Sequence, residues 1–141
     1  MRRKIKIHWI LKCILTLVYA YLIYDASSKD TSSISLPPHT DKLIHFVEFG
    51  LLCLMTCWTL FSDRIGDKRI YKIIIAISIA SLYGVSDEIH QSFTPHRSVE
   101  FLDWLADTLG AITAGLLWQM VAYKRQLKEK SLITEKTLIQ A

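Results

Sequence analysis

Apolar residues in this 141-residue chain gather into four stretches, at about 7–24, 43–61, 70–86 and 101–123, with short polar segments between them. Each stretch is close to the ~17–25 residues that a helix needs to cross a bilayer. The middle of the third, Ile73-Ile74-Ile75-Ala76-Ile77, runs without a polar residue. A helix of a soluble bundle would carry a polar stripe along its whole length. The pattern predicts an all-α integral membrane protein, one membrane domain over 1–141 with four transmembrane helices. Residues 124–141 form a charged tail that reads as a fraying extension of the fourth helix. Pro37-Pro38 closes the polar loop 27–40, and Thr40 or Asp41 is expected to cap the second helix. Pro95 is expected to stop the third helix, so that the fourth begins near Ser98.

Composition alone does not decide this, because 51% hydrophobic lies just above the ordinary globular range. Charge adds an orientation. Arg2, Arg3, Lys4, Lys6 and Lys12 flank or enter the first stretch, Arg64, Lys68, Arg69 and Lys72 lie between the second and third, and Lys124, Arg125, Lys128, Lys130 and Lys136 follow the fourth. Only Lys29, Lys42 and Arg97 fall on the other side, so both termini are predicted to be cytoplasmic. The net charge of +4 then reads as topology and lipid-headgroup contact, and no nucleic-acid partner is expected. Trp9, Trp58, Trp118 and Tyr123 near one boundary, and Tyr21, Tyr24, Phe101 and Trp104 near the other, form the expected aromatic belts. Lys12 interrupts the first stretch and Tyr24-Asp25-Ala26 is a poor cleavage site, so this stretch reads as an anchor, not a signal peptide. Cys13, Cys53 and Cys57 all lie inside stretches without a Cys-x-x-Cys pair, and read as packing residues.

The informative residues are ionisable groups inside the stretches, which are costly in lipid and mark a candidate site. Asp41, His45 and Glu48 open the second stretch, Tyr83, Asp87, Glu88, His90 and Gln91 end the third, and Asp103 and Asp107 open the fourth. With Arg97 in the hairpin, all fall at the predicted outer end. Asp41, His45 and Glu48, and likewise Tyr83, Asp87 and His90, follow i, i+4, i+7 and share a helix face. Three such stripes could converge on an outward-opening cavity. Ala106-x3-Gly110-x3-Ala114 supplies small residues for close helix packing.

Three strings carry a resemblance: Asp41-Lys42-x2-His45-Phe46-x-Glu48-Phe49, then Asp87-Glu88-x2-Gln91-x-Phe93-x-Pro95-x-Arg97, then Asp103-x3-Asp107-x2-Gly110. Together, over 41–115, they are similar to the VanZ-like membrane proteins. The family's founding member is associated with low-level resistance to the glycopeptide teicoplanin. The resemblance implies a multi-pass protein of the bacterial inner (cytoplasmic) membrane with a role in the cell envelope. Many relatives carry Asn where this chain has Asp107.

Three functions are compatible with these residues. In the first, Asp41, His45, Glu48, Tyr83, Asp87, Glu88, Gln91, Arg97, Asp103 and Asp107 form a ligand pocket for a lipid-linked envelope precursor or an acylated glycopeptide, with Pro95, Gly110 and Ala114 as structural supports. The second is a membrane-embedded hydrolase or transferase whose acid and base come from Glu48, Asp87, Glu88 or Asp107. The third is a packing partner in a membrane-protein assembly, with the acids paired to another protein's basic residues. Membrane lipids are partners in each. No cofactor is expected. His45, Glu48, Asp87 and His90 have metal-ligand types, but His-x2-Glu and Asp-x2-His are short, common spacings, and no metal site is assigned.

Overall fold

The computed structural model describes residues 2–29, 37, 39–61, 69–95 and 97–139. Arg64, Lys68, Pro38 and His96, and the side chains of Arg2, Arg3, Lys4 and Lys6, lie outside the described residues. The fold is all-helical: α1 (Arg2–Ser27), α2 (Thr40–Leu60), α3 (Arg69–Gln91) and α4 (Phe101–Ile139). All four are long and apolar enough to cross a membrane, the pattern of a multi-pass membrane protein.

The surface agrees with that pattern. Leu17, Leu82 and Leu116 are 60% or more exposed, and exposed apolar side chains continue around all four helices. So much uncovered hydrocarbon is stable only against lipid or a partner. The interior is correspondingly thin and made of small residues: Ala76, Ala80, Ala111, Cys53 and Cys57 are fully buried, with Phe49 as the one large side chain among them. The cysteines are free and pack as expected.

Helices α2, α3 and α4 form the core, and α2 and α4 make its closest pair. Gly110 sets that approach, because a Cβ there would overlap the backbone carbonyl oxygen of Phe46. Across the same crossing, a Cβ at Gly50 would meet Gly110 O at 3.3 Å. Helix α1 is peripheral: Ile23 and Ser27 are its buried residues among those described. It is held by polar pins, with Tyr19 OH donating to Glu48 O (3.2 Å), Tyr83 OH donating to Ala20 O (2.7 Å), and a Thr16–Thr59 hydroxyl bond of 2.9 Å.

Helix boundaries depart from the expectations in three places. The N-cap of α2 is His39, left-handed at φ 64° and without a side-chain cap bond, while the Asp41 carboxylate turns instead to Lys42. Helix α3 ends at Gln91, before Pro95 is reached, through tight bonds such as Thr94 N to Gln91 O at 2.9 Å. The tail stays helical to Ile139 among the described residues instead of fraying. Its Lys, Arg, Gln, Glu and Leu are good helix formers, and a 39-residue helix is ~58 Å long, well beyond the hydrocarbon thickness.

Candidate functional site

The starts of α2 and α4, the ends of α1 and α3, and residues 92–95 and 97–100 between α3 and α4 meet at one end of the bundle, and the acidic residues collect there. Antiparallel neighbours account for this: the polar residues begin α2 and α4 and end α3. Within this end the polar residues divide into two adjoining groups.

The first group lines a cleft of about 210 Å³ between α1, α2 and α3: Ile23, Ala26, Ser27, Asp41, Ile44, His45, Glu48, Asp87, Gln91 and Arg97. Gln91 Nε2 donates to Asp87 Oδ2 at 2.9 Å, and its Oε1 lies 3.5 Å from Arg97 Nη1. Arg97 Nε and Ser27 Oγ are buried without a hydrogen-bond partner among the described residues. One wall of the cleft is therefore apolar, and the rest offers carboxylates and one guanidinium.

The second group lies behind the cleft, against α4. His45 Nδ1 donates to Asp107 Oδ1 at 2.9 Å, and Asp107 is wholly buried, its Oδ2 without a partner among the described residues. Gly84 leaves room for that carboxylate, since a Cβ there would come 2.6 Å from Asp107 Oδ2. Glu88 Oε2 accepts the backbone N–H of Glu100 at 2.8 Å, while its Oε1 is buried without a partner among the described residues. His45, Glu88 and Asp103 each bring a potential metal-ligand atom within 4.8 Å of the others. At the mouth, Lys42 Nζ bridges Asp41 (2.9 Å), Glu100 (2.8 Å) and Asp103 (2.9 Å).

Comparison with known proteins places this arrangement. A profile of the VanZ/LLP1 family matches residues 4–122, which reach from α1 through α2 and α3 into the first 22 residues of α4. The chain belongs to the VanZ/LLP1 family. An uncharacterized protein of fission yeast, Schizosaccharomyces pombe, is 29% identical over 92 residues, which is 65% of this chain and 54% of that relative. The match thus spans about half of the relative's length. No solved structure matches.

In this VanZ/LLP1 chain not every member of the expected stripes reaches one cavity. Tyr83 spends its hydroxyl on α1, and His90 turns outward to Ser28 Oγ (2.8 Å) and the Tyr24 ring (4.2 Å between centroids). His90 is thereby separated from His45, Glu48 and Asp87, and those four residue types do not form one ligand set. Glu88, Asp103 and Asp107 do not line the cleft. Pro95 is an exposed turn residue, and Ala114 is buried beside Gly110 on α4.

Sequence reasoning missed Lys42, Glu100, Ser27 and Gly84. Lys42 entered as a charge for topology and as part of the Asp41-Lys42 string, without a role at the site, whereas three carboxylates surround it. Lys42→Met leaves those acids facing each other, and is expected to lower stability by roughly 1 kcal/mol, the upper range for partly exposed ion pairs. Thermal unfolding in detergent checks this, and the loss should shrink as salt is raised.

Proposed function

We propose that this VanZ/LLP1 protein recognises the polar headgroup of a membrane amphiphile in the cleft between α1, α2 and α3. The observation that carries the reading is the divided lining of the cleft. Ile23, Ala26 and Ile44 face an acyl or isoprenoid chain, while Glu48 and Asp87 accept hydrogen bonds from hydroxyl or ammonium groups. Arg97, whose Nε has no partner among the described residues, suits a phosphate or carboxylate. At about 210 Å³ the cleft is smaller than the ~300–1,000 Å³ of a typical ligand pocket, so it suits part of a headgroup whose tail stays in lipid. Thinly attached α1 offers the sideways entry. A headgroup with both an anion and several hydroxyl or amine donors describes a lipid-linked saccharide precursor of the envelope, or an acylated glycopeptide of the teicoplanin kind. The basic flanks support cytoplasmic termini with the acidic end outward; an envelope precursor as ligand would make that membrane the inner membrane of a bacterium.

Mass spectrometry of lipids that co-purify in mild detergent tests the reading. Wild type is expected to retain one isoprenoid-linked or acylated species, reduced about tenfold or more, equivalent to ~1.4 kcal/mol, in folded Asp87→Asn and Arg97→Ala variants. The same bulk lipids on all three proteins would overturn it.

A further inference from the structure

We propose that His45, Glu88 and Asp103 form a binding site for one divalent first-row transition-metal ion, with Asp107 fixing the His45 ring. The three residues come from three different helices, yet their ligand atoms lie within 4.8 Å of one another, and their exposures are 6%, 4% and 6%. Buried carboxylates in a membrane bundle need a positive partner. Asp103 has Lys42, but Glu88 makes no ion pair among the described residues.

Two details separate this from a mere acidic cluster. Among the described residues Glu88 Oε1 is buried with no hydrogen bond, an expensive condition for a carboxylate oxygen that a cation within its reach would relieve. His45, for its part, gives Nδ1 to Asp107 Oδ1 at 2.9 Å, which leaves Nε2 as the nitrogen free to coordinate. Ligating histidines characteristically hand their other N–H to a carboxylate or carbonyl, which fixes the tautomer and ring orientation. The neighbouring trio Asp41, Glu100 and Asp103 also has metal-like spacing, but there Lys42 Nζ already sits within 2.9 Å of each acid.

One imidazole with two carboxylates suits Zn²⁺, Mn²⁺ or Fe²⁺ better than Ca²⁺, which takes ~6–8 oxygen ligands. Ligand distances of ~2.0–2.2 Å place tetrahedral donor atoms ~3.5 Å apart, so the side chains must close by about an ångström around the ion. Three protein ligands leave a position for water, as catalytic zinc sites do. The site adjoins the cleft through His45, which lines both, but its two carboxylates, Glu88 and Asp103, lie outside the cleft, so metal uptake does not rest on the amphiphile reading.

The test uses the full chain in detergent: metal content by inductively coupled plasma mass spectrometry, then chelator stripping and titration with Zn²⁺ and Mn²⁺ followed by thermal unfolding. Stripped wild type is expected to bind one ion per chain and to melt higher when loaded. Glu88→Gln should weaken binding by about 100-fold or more and Asp107→Asn by ~10–100-fold. His90→Gln, which alters an imidazole outside the trio, should bind like wild type. Should Glu88→Gln fail to fold, Asp107→Asn carries the test, since its amide oxygen can still accept from His45 and keep the fold, while the carboxylate charge that raises the basicity of the ring is lost. No saturable uptake by wild type, or wild-type affinity in Asp107→Asn, would overturn the proposal.

Discussion

Gly110→Val is expected to abolish the folded bundle, giving protein that aggregates or runs heterogeneously on size exclusion in detergent. The reason is local: even a Cβ at this position overlaps the Phe46 carbonyl oxygen, and backbone cannot rotate aside as a side chain can. Helices α2 and α4 would have to separate, which loses the packing that replaces the hydrophobic effect between helices in lipid. The cost should exceed the ~1–3 kcal/mol typical of overpacking, because a close crossing and not one side chain is displaced. Two other glycines grade the effect. Gly115→Ala meets only Ile77 Cδ1 (2.8 Å), Ile77 Cγ1 (3.0 Å) and Ile73 Cγ2 (3.1 Å), side-chain atoms that can shift. Gly50→Ala brings Cβ to 3.3 Å from Gly110 O, a tight but tolerable contact. The expected order of damage is therefore Gly110 well above Gly115 and Gly50, read from unfolding curves of the three variants. Equal tolerance at all three would mean that the α2–α4 crossing is not fixed by Gly110.

The helices and the crowding of acids at one end were legible because both are one-dimensional signals. An apolar run long enough for a bilayer marks its own helix, and short connections force antiparallel neighbours, so acids at the start of α2 and α4 must meet those at the end of α3. The division of that end was not legible. Asp87 and Glu88 are adjacent in sequence and therefore ~100° apart around α3. One lines the cleft toward α1 and α2, and the other faces Glu100 and α4, so a stripe rule that follows Tyr83, Asp87 and His90 places Glu88 nowhere. His90 and Tyr83 fit the stripe but serve α1, whose position no spacing predicts. Gly50 is an isolated glycine and Gly84 ends the small-residue repeat Ala76-x3-Ala80-x3-Gly84, but what each makes room for appears only when Gly110 and Asp107 are set against them. Lys42 and Glu100 lie 58 residues apart, and nothing local links them.

His45→Ala is expected to destabilise the bundle by ~3–5 kcal/mol, the cost of breaking a buried pair by removing one partner. Asp107 is fully buried and has one oxygen already without a hydrogen bond among the described residues, so this change strips the other as well. Asp107→Asn should cost far less, about 1 kcal/mol, because the amide oxygen can keep the bond from Nδ1 while the charge disappears. The decisive variant combines the two. If Asp107 is a liability only when ionised and unpaired, His45→Ala with Asp107→Asn should be more stable than His45→Ala alone, with a coupling of roughly 1–3 kcal/mol between neighbouring sites. Unfolding of chelator-treated protein by denaturing detergent measures this without a contribution from any bound ion. Simple additivity of the two changes would show that His45 and Asp107 contribute independently, and would remove the ring-fixing role on which the metal site depends.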